Sequence, residues 1–242
     1  MSQGHEHWQR IAFFGGSFDP PHLGHLAVAK AACEALNLDR VLFAPVGSQP
    51  LKPRGSTAPF AHRVAMTGLA IAGEARFAVS LLDAPDPDGK PNYTLDTLRK
   101  LRCVLGPDTD LFFLMGADSL RSLRRWHGAA ELPFAATLVV ASRPGQLLDD
   151  LTALLPAGLS LAPEPESDPP CSQTGSAPAA AQPWRLVNKS GRSAPFYLLA
   201  GLDIPISASA IRAQVRAAGP ATGEALVPAA VAEYIRSHGL YR

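Results

Sequence analysis

The strongest constraint on the fold of this chain is a strand–turn–helix pattern near its beginning. Residues 11–14 (Ile-Ala-Phe-Phe) form a continuous apolar run, which is typical of a strand buried on both faces of a parallel sheet. Residues 26–36 are rich in alanine and leucine and predict a helix. The turn between them reads Gly-Gly-Ser-Phe-Asp-Pro-Pro-His-Leu-Gly-His. The chain is therefore expected to begin with the first strand and crossover helix of a parallel α/β sheet.

The chemistry of this turn suits a phosphate group. Gly15 and Gly16 lack a Cβ, so their backbone N–H groups can approach a ligand closely, and Ser17 adds a hydroxyl donor. The helix that follows directs its free N–H groups and the positive end of its dipole at the same place. His22 and His25 are spaced so that both imidazoles project to one side near a helix start. Two alternatives stay open, namely a tight turn without a ligand and half of a metal site with distant partners.

The turn resembles the first signature of the nucleotidyltransferase superfamily, whose common form is G-G-[ST]-F-D-P-x-H-x-G-H. Members of that superfamily move a nucleotidyl group from a nucleoside triphosphate to an acceptor phosphate or alcohol, and the histidine pair contacts the triphosphate. The resemblance implies that the turn binds phosphate, with Phe18 included in that group. It also implies that His22 and His25 stabilise charge in the transition state.

A second phosphate motif is predicted further along the chain. Residues 205–212 begin a helix, with Ser207 suited to the N-cap position and Arg212 about a turn and a half inside it. The segment is similar to the second superfamily signature, I-S-[SA]-[ST]-x-[IV]-R, whose hydroxyls and arginine hold triphosphate oxygens. An arginine fork suits two phosphate oxygens at once. Ala208 stands where serine is frequent, whereas Ser209 keeps the other hydroxyl.

Two segments resemble parts of the mononucleotide adenylyltransferases that lie near the acceptor. Residues 93–98 are similar to the Tyr-Thr-x-x-Thr-Leu motif that borders the acceptor pocket, although Thr94 is equally suited to cap a helix. Asp118 follows the apolar run at residues 111–115, in a segment that matches Gly-x-Asp-x-Leu. A carboxylate at the end of such a strand can accept hydrogen bonds from ribose hydroxyls or cap the next helix. The resemblance favours ligand contact for Asp118.

Three more residues are assigned by likeness to the branch that acts on nicotinate mononucleotide. An aromatic side chain packs on the pyridine ring in that branch, and we assign this role to Trp126, with a core position as the alternative. Arg143 belongs to an Arg-Pro-Gly turn that borders the same crevice. Lys52 lies in a loop after the strand at residues 40–45 and is predicted to reach phosphate, unless it is an ordinary surface charge. Leu51 stands where the branch often has histidine, so any role of that histidine is absent.

Composition narrows the remaining classes of function. The 22 basic and 21 acidic side chains among 242 residues leave a formal charge of +1, which gives no general argument for nucleic acid or an anionic membrane as partner. Cys33, Cys103 and Cys171 form no CxxC pattern, which argues against a disulfide framework and a structural zinc site. No apolar run approaches the roughly 20 residues of a membrane span. We therefore expect a cytoplasmic protein, and a homo-oligomer is compatible with the sequence.

These patterns predict one α/β domain over residues 1–242 with a Rossmann-like, doubly wound parallel sheet. Proline-rich residues 156–195 are expected to be an inserted mobile loop without secondary structure. The resemblance covers nearly all of the chain outside that loop. It implies an enzyme of NAD biosynthesis, a nicotinate mononucleotide adenylyltransferase that uses ATP with Mg²⁺ on the departing pyrophosphate and has no dedicated metal ligands.

Three other functions remain open at the level of sequence. Two are adenylyltransferases with another acceptor, either nicotinamide mononucleotide or phosphopantetheine. The third is a non-catalytic nucleotide-binding regulator that kept the fold. The preference between acid and amide mononucleotide depends on one hydrogen-bonding pattern, which the sequence does not determine.

Overall fold

The computed structural model describes residues 8–51, 55–141, 151–163, 181–199, 202, 206–218 and 226–242. The strands are β1 (Arg10–Gly16), β2 (Arg40–Pro45), β3 (Phe77–Val79), β4 (Asp110–Gly116), β5 (Thr137–Ala141), β6 (Leu159–Pro163), β7 (Ala181–Asn188) and β8 (Ser193–Leu199). The helices are α1 (Leu23–Leu36), α2 (Phe60–Ile71), α3 (Thr94–Leu105), α4 (Ala117–Ser122), α5 (Leu132–Ala135), α6 (Leu151–Leu154), α7 (Ala208–Ala218) and α8 (Ala229–Ser237). None of the described helices is long and apolar enough to cross a membrane.

The strands form one eight-stranded sheet in the order β3-β2-β1-β4-β5-β8-β7-β6. The first six strands in that order, β3-β2-β1-β4-β5-β8, each pair in parallel with their neighbours. This arrangement confirms the doubly wound α/β prediction. β7 runs antiparallel to both β8 and β6. The connection from β7 to β8 is a short turn through Gly191, and such a turn can join only antiparallel strands.

The prediction that residues 156–195 lack secondary structure is wrong for the described part of that range. β6, β7 and the first residues of β8 lie within it. Leu186 of β7 is fully buried and belongs to the same core cluster as Phe196 of β8. Burial of such apolar side chains on the sheet outweighs the local effect of the prolines, which sequence reasoning overestimated. Residues 164–180 lie outside the described residues.

The side chains of β1 alternate between two cores on opposite faces of the sheet. Ala12 and Phe14 belong to the cluster that includes Ala29 of α1, whereas Phe13 belongs to the cluster that includes Leu98 of α3. Burial on both faces explains why this strand is continuously apolar over residues 11–14. β1 lies between β2 and β4, where the strand order reverses, and open α/β sheets bind ligands beyond the carboxyl ends of the strands at that point.

Candidate active site

A cleft of about 880 Å³ opens beyond the carboxyl ends of β1, β4 and β5. This volume is within the range of about 300–1,000 Å³ that is usual for ligand pockets. The predicted site residues that the structure describes all line it: Gly15, Gly16, Ser17, Phe18, His22, His25, Thr94, Asp118, Trp126, Ser207, Ser209 and Arg212. Lys52 and Arg143 lie outside the described residues.

The two histidines of the first motif lie at the start of α1 with their rings stacked. The ring centroids are 3.6 Å apart and the rings are tilted by 25°. The backbone N–H of His22 donates to Nδ1 of His25 at 3.1 Å. Burial lowers the pKa of His25 well below its ordinary value, and the neighbouring His22 lowers that pKa further. Neutral His25 therefore accepts at Nδ1 and carries its proton on Nε2, where it can donate to a ligand oxygen.

Phe18 supports this histidine from the core. Its side chain is buried, and its ring meets the ring of His25 in an edge contact with centroids 4.9 Å apart. A second edge contact joins Phe18 to Phe14, with centroids 5.6 Å apart. A phenyl ring offers no donor to a phosphate, so any hydrogen bond from Phe18 to a phosphate has to come from its backbone N–H.

A buried arginine that sequence reasoning missed stabilises the first motif, residues 15–25, which we call the phosphate turn. Arg63 of α2 is 2% exposed, and its guanidinium donates to three backbone carbonyls. The acceptors are the carbonyls of Ser17 at 2.7 Å, Val46 at 2.8 Å and Ala58 at 3.2 Å. This side chain therefore joins the turn after β1 to the segment after β2. The sequence carried a signal for this burial, because Arg63 is spaced to lie on the same buried face of α2 as Met66.

Asp19 is a second missed residue, although it lies within the first motif. Its side chain is buried and accepts backbone N–H groups from Thr57 at 2.6 Å and Ala58 at 3.0 Å. The hydroxyl of Tyr241 also donates to it, at 2.8 Å. These bonds attach the loop before α2 and the segment after α8 to the phosphate turn.

The second phosphate motif meets the first one across the cleft. Ser207 caps α7, because its Oγ accepts the backbone N–H of Ala210 at 3.2 Å, which confirms the predicted N-cap. The hydroxyl of Ser209 lies 3.2 Å from that of Ser207. Arg212 donates from Nη1 to the backbone carbonyl of Asp19 at 2.6 Å. The positive ends of α1 and α7 therefore open into the same space.

The other end of the cleft is aromatic. The indole Nε1 of Trp126 donates to Oγ of Ser122 at 3.0 Å, and the indole ring lies beside Phe113 with centroids 6.1 Å apart. Tyr93 and His127 pack together beside it in the cleft wall, with centroids 4.4 Å apart. Because the polar atom of Trp126 already has a protein partner, its ring is left for packing against an apolar or aromatic group.

Neither Thr94 nor Asp118 acts as the helix cap that was considered for it. Thr94 is the first residue of α3, and Tyr93 holds the N-cap position. Gly116 holds the N-cap position of α4, and Asp118 accepts a hydrogen bond from Nη1 of Arg121 at 3.0 Å. Thr94 and Asp118 both line the cleft, and ligand contact stays a prediction for each of them.

Asp83 is a further buried acid in the cleft wall that sequence reasoning passed over. Its Oδ1 accepts the hydroxyl hydrogen of Thr97 at 2.5 Å, and its backbone carbonyl accepts the N–H of Gly47 at 2.6 Å. Burial raises the pKa of Asp83, and the hydrogen bond from Thr97 lowers that pKa in part. Asp83 thus connects α3 to the segment after β2, next to the phosphate turn.

Comparison with known proteins identifies the family. The profile described as cytidylyltransferase-like matches residues 13–214. A protein named probable nicotinate-nucleotide adenylyltransferase from Gloeobacter violaceus is 36% identical over 233 residues, which cover 96% of each chain. A protein of the same name from Thermomicrobium roseum is 40% identical over 233 residues, or 96% of this chain and 92% of the relative.

A solved structure shows the same fold. It is the Plasmodium falciparum nicotinic acid mononucleotide adenylyltransferase complexed with NaAD, with a TM-score of 0.65 and 17% identity. The alignment covers 96% of this chain and 97% of that one. Because the family profile spans most of the chain and the relatives align over almost their whole length, this chain belongs to the cytidylyltransferase-like family, among the nicotinate-nucleotide adenylyltransferases.

Proposed function

We propose that this protein transfers the adenylyl group of ATP to the phosphate of nicotinate mononucleotide, giving nicotinate adenine dinucleotide and pyrophosphate. The observation that carries the proposal is the meeting of two anion-binding helix starts in one cleft. The start of α1 brings the histidine pair, and α7 brings Arg212, while Trp126 lies in the wall of the same cleft. The names of the curated relatives support nicotinate mononucleotide as the acceptor.

On the phosphate side, the backbone of the first turn would seat the triphosphate. A Cβ on Gly15 would lie 3.0 Å from the ring of Phe13, and one on Gly16 would lie 3.3 Å from the ring of Phe18. A side chain at either position would therefore need the packed ring behind it to move. Absence of both Cβ atoms leaves the N–H groups within reach of phosphate oxygens.

The transfer requires no nucleophile from the protein, because the acceptor phosphate attacks the α-phosphorus of ATP in line. Catalysis then depends on positioning and on stabilising charge as it develops. Nε2–H of His25 and the guanidinium of Arg212 are the donors that we assign to this charge, together with His22. Ser207 and Ser209 would bind the triphosphate oxygens with their hydroxyls.

On the acceptor side, the face of Trp126 would pack on the pyridine ring. Thr94 would contact the mononucleotide, and Asp118 would accept hydrogen bonds from ribose hydroxyls. Lys52 and Arg143 stay sequence-based predictions for phosphate and for the acceptor, respectively. The cytoplasmic location also stays a prediction.

Mg²⁺ would arrive with ATP rather than occupy a protein site of its own. Among the described residues, no three His, Cys, Asp or Glu side chains come together in a way that could hold a metal ion. Both carboxylate oxygens of Asp19 already accept hydrogen bonds. The described side chains therefore fit an Mg²⁺ ion that is held by phosphate oxygens and water, as is usual for Mg²⁺ in nucleotide sites. When bound, the ion would neutralise charge on the departing pyrophosphate.

The test is release of pyrophosphate from Mg-ATP with nicotinate mononucleotide, nicotinamide mononucleotide or phosphopantetheine offered in parallel. The proposal expects the highest kcat/KM with nicotinate mononucleotide. A higher value with another acceptor would overturn the acceptor assignments and leave the phosphate side intact. Binding of ATP without pyrophosphate release from any mixture would overturn the enzymatic reading in favour of a nucleotide-binding regulator.

A further inference from the structure

Tyr241 attaches the segment after α8 to the phosphate turn. Its side chain is 6% exposed, and its hydroxyl donates to Oδ1 of Asp19 at 2.8 Å over a separation of 222 residues. The residue has a φ of 66°, in the left-handed region that is costly for a side chain with a Cβ. The surrounding contacts thus hold Tyr241 in a conformation that it would not adopt by itself.

The partners of Asp19 explain what this hydroxyl does. Within the part of the chain that the structure describes, its two carboxylate oxygens accept hydrogen bonds from three neutral donors, which are the N–H groups of Thr57 and Ala58 and the hydroxyl of Tyr241. The guanidinium of Arg212 comes no closer than 3.9 Å to Oδ2, beyond hydrogen-bonding distance. Arg212 binds instead to the backbone carbonyl of Asp19 at 2.6 Å. The ion pair between the buried acid and Arg212 is therefore long, and no hydrogen bond joins the two side chains.

Arg63 also lies near Asp19, but its guanidinium is not available to bind the carboxylate of Asp19. Arg63 interacts electrostatically with Asp19, but its guanidinium donates to three backbone carbonyls. Burial raises the pKa of Tyr241, and the charge of Asp19 raises that pKa further. The hydroxyl of Tyr241 consequently stays protonated and acts as a donor throughout the neutral pH range.

We propose that Tyr241 is a positioning residue for adenylyl transfer, because its hydroxyl satisfies Asp19 and thereby leaves the guanidinium of Arg212 for the phosphates of ATP. This inference rests on the proposed function in one respect, that ATP is the ligand of the cleft. Without the hydroxyl, Oδ1 of Asp19 loses one of its donors. Among the described residues, Arg212 is the cation nearest to that carboxylate that several carbonyls do not already hold, so its guanidinium would move toward the carboxylate and away from the ligand.

The experiment compares Tyr241→Phe with Tyr234→Phe as a matched control. Tyr234 lies in α8, and its hydroxyl bonds Nδ1 of His62 at 3.0 Å, so the control also removes one hydroxyl from a partly buried tyrosine of the same region. Dissociation constants for ATP are measured by titration calorimetry without acceptor. Steady-state KM values for ATP and nicotinate mononucleotide and the thermal midpoint are measured on the same preparations.

We expect Tyr241→Phe to weaken ATP binding by roughly tenfold, the scale of one charge-assisted hydrogen bond. The KM for nicotinate mononucleotide should stay within about twofold, and Tyr234→Phe should change neither value. In an Arg212→Met background, Tyr241→Phe should cause no further loss of ATP affinity, because the two changes act through the same guanidinium.

Three results would overturn the inference. One is unchanged ATP affinity in Tyr241→Phe, and another is an equal weakening of both substrates together with a large fall in the thermal midpoint. The third is a variant that fails to fold, which would make the hydroxyl purely structural.

A wild-type protein that binds ATP without transferring it would refute the proposed function alone, because the binding measurement still tests Tyr241. A wild-type protein that does not bind ATP would refute both.

Discussion

Replacement of Arg63 by methionine tests whether a buried cation organises the phosphate turn. Methionine keeps most of the apolar stem and removes the guanidinium with its hydrogen bonds to the carbonyls of Ser17, Val46 and Ala58. Each such bond from a charged donor contributes about 1.5–3 kcal/mol. Water can replace part of this at Ser17 and Val46, which line the cleft, and the variant no longer buries a cation.

The net loss in the free energy of unfolding should therefore be about 3–4 kcal/mol, below the roughly 4.5–9 kcal/mol that three such bonds would contribute without these two offsets. Urea denaturation followed by circular dichroism measures it. The matched control is Arg99→Met, which removes an exposed guanidinium that pairs with Asp96 and Glu131 and should cost less than about 1 kcal/mol. A loss below about 1 kcal/mol for Arg63→Met would refute the reasoning, because the three bonds would then contribute little.

Three further predictions concern the cleft. His25→Ala should lower turnover at saturating ATP by roughly 10²-fold, the effect of removing one preorganised donor, and near-normal pyrophosphate release would exclude that role. Burial raises the pKa of Asp83 above its ordinary value of 3.8, so the folded chain binds more protons than the unfolded chain between those two pKa values. Stability therefore falls as pH rises through that interval, and Asp83→Asn should flatten this slope in thermal midpoints measured across it; an unchanged slope would count against a raised pKa. Gly47→Ala would place a Cβ 2.3 Å from the backbone nitrogen of Pro85, so the loop before α3 must move. Because this loop leads into Thr94, the KM for the acceptor should rise more than the KM for ATP.

Much of the fold could be predicted from local patterns. The strand at residues 40–45 has the predicted bounds, and Ser207 caps α7 as expected. Helix α1 begins three residues before the predicted residue 26, because the histidine at the N-cap and the residues after it already adopt the first turn. The strands between residues 156 and 195 were missed, because proline suppresses a strand signal locally while apolar burial stabilises it through the whole sheet.

The candidate site was predictable where its residues belong to a continuous motif. Gly15, Gly16, His22 and His25 lie together in the chain, so their shared position follows from a strand, a turn and a helix. Arg63 was missed because a basic residue within a helix is usually solvated, and only the packing of α2 against the phosphate turn buries it. The role of each site residue in transfer stays a prediction for the variants described above.

The sequence by itself determined the parallel α/β class, the phosphate turn and the cap of α7, because these depend on residues within a few positions of one another. Tertiary structure alone decided that Arg212 binds the carbonyl of Asp19 over 193 residues and that Tyr241 reaches the same residue over 222. It also decided which charges are buried. The physical reason is that burial and long-range hydrogen bonds depend on how elements pack, and packing is a property of the whole chain rather than of any segment.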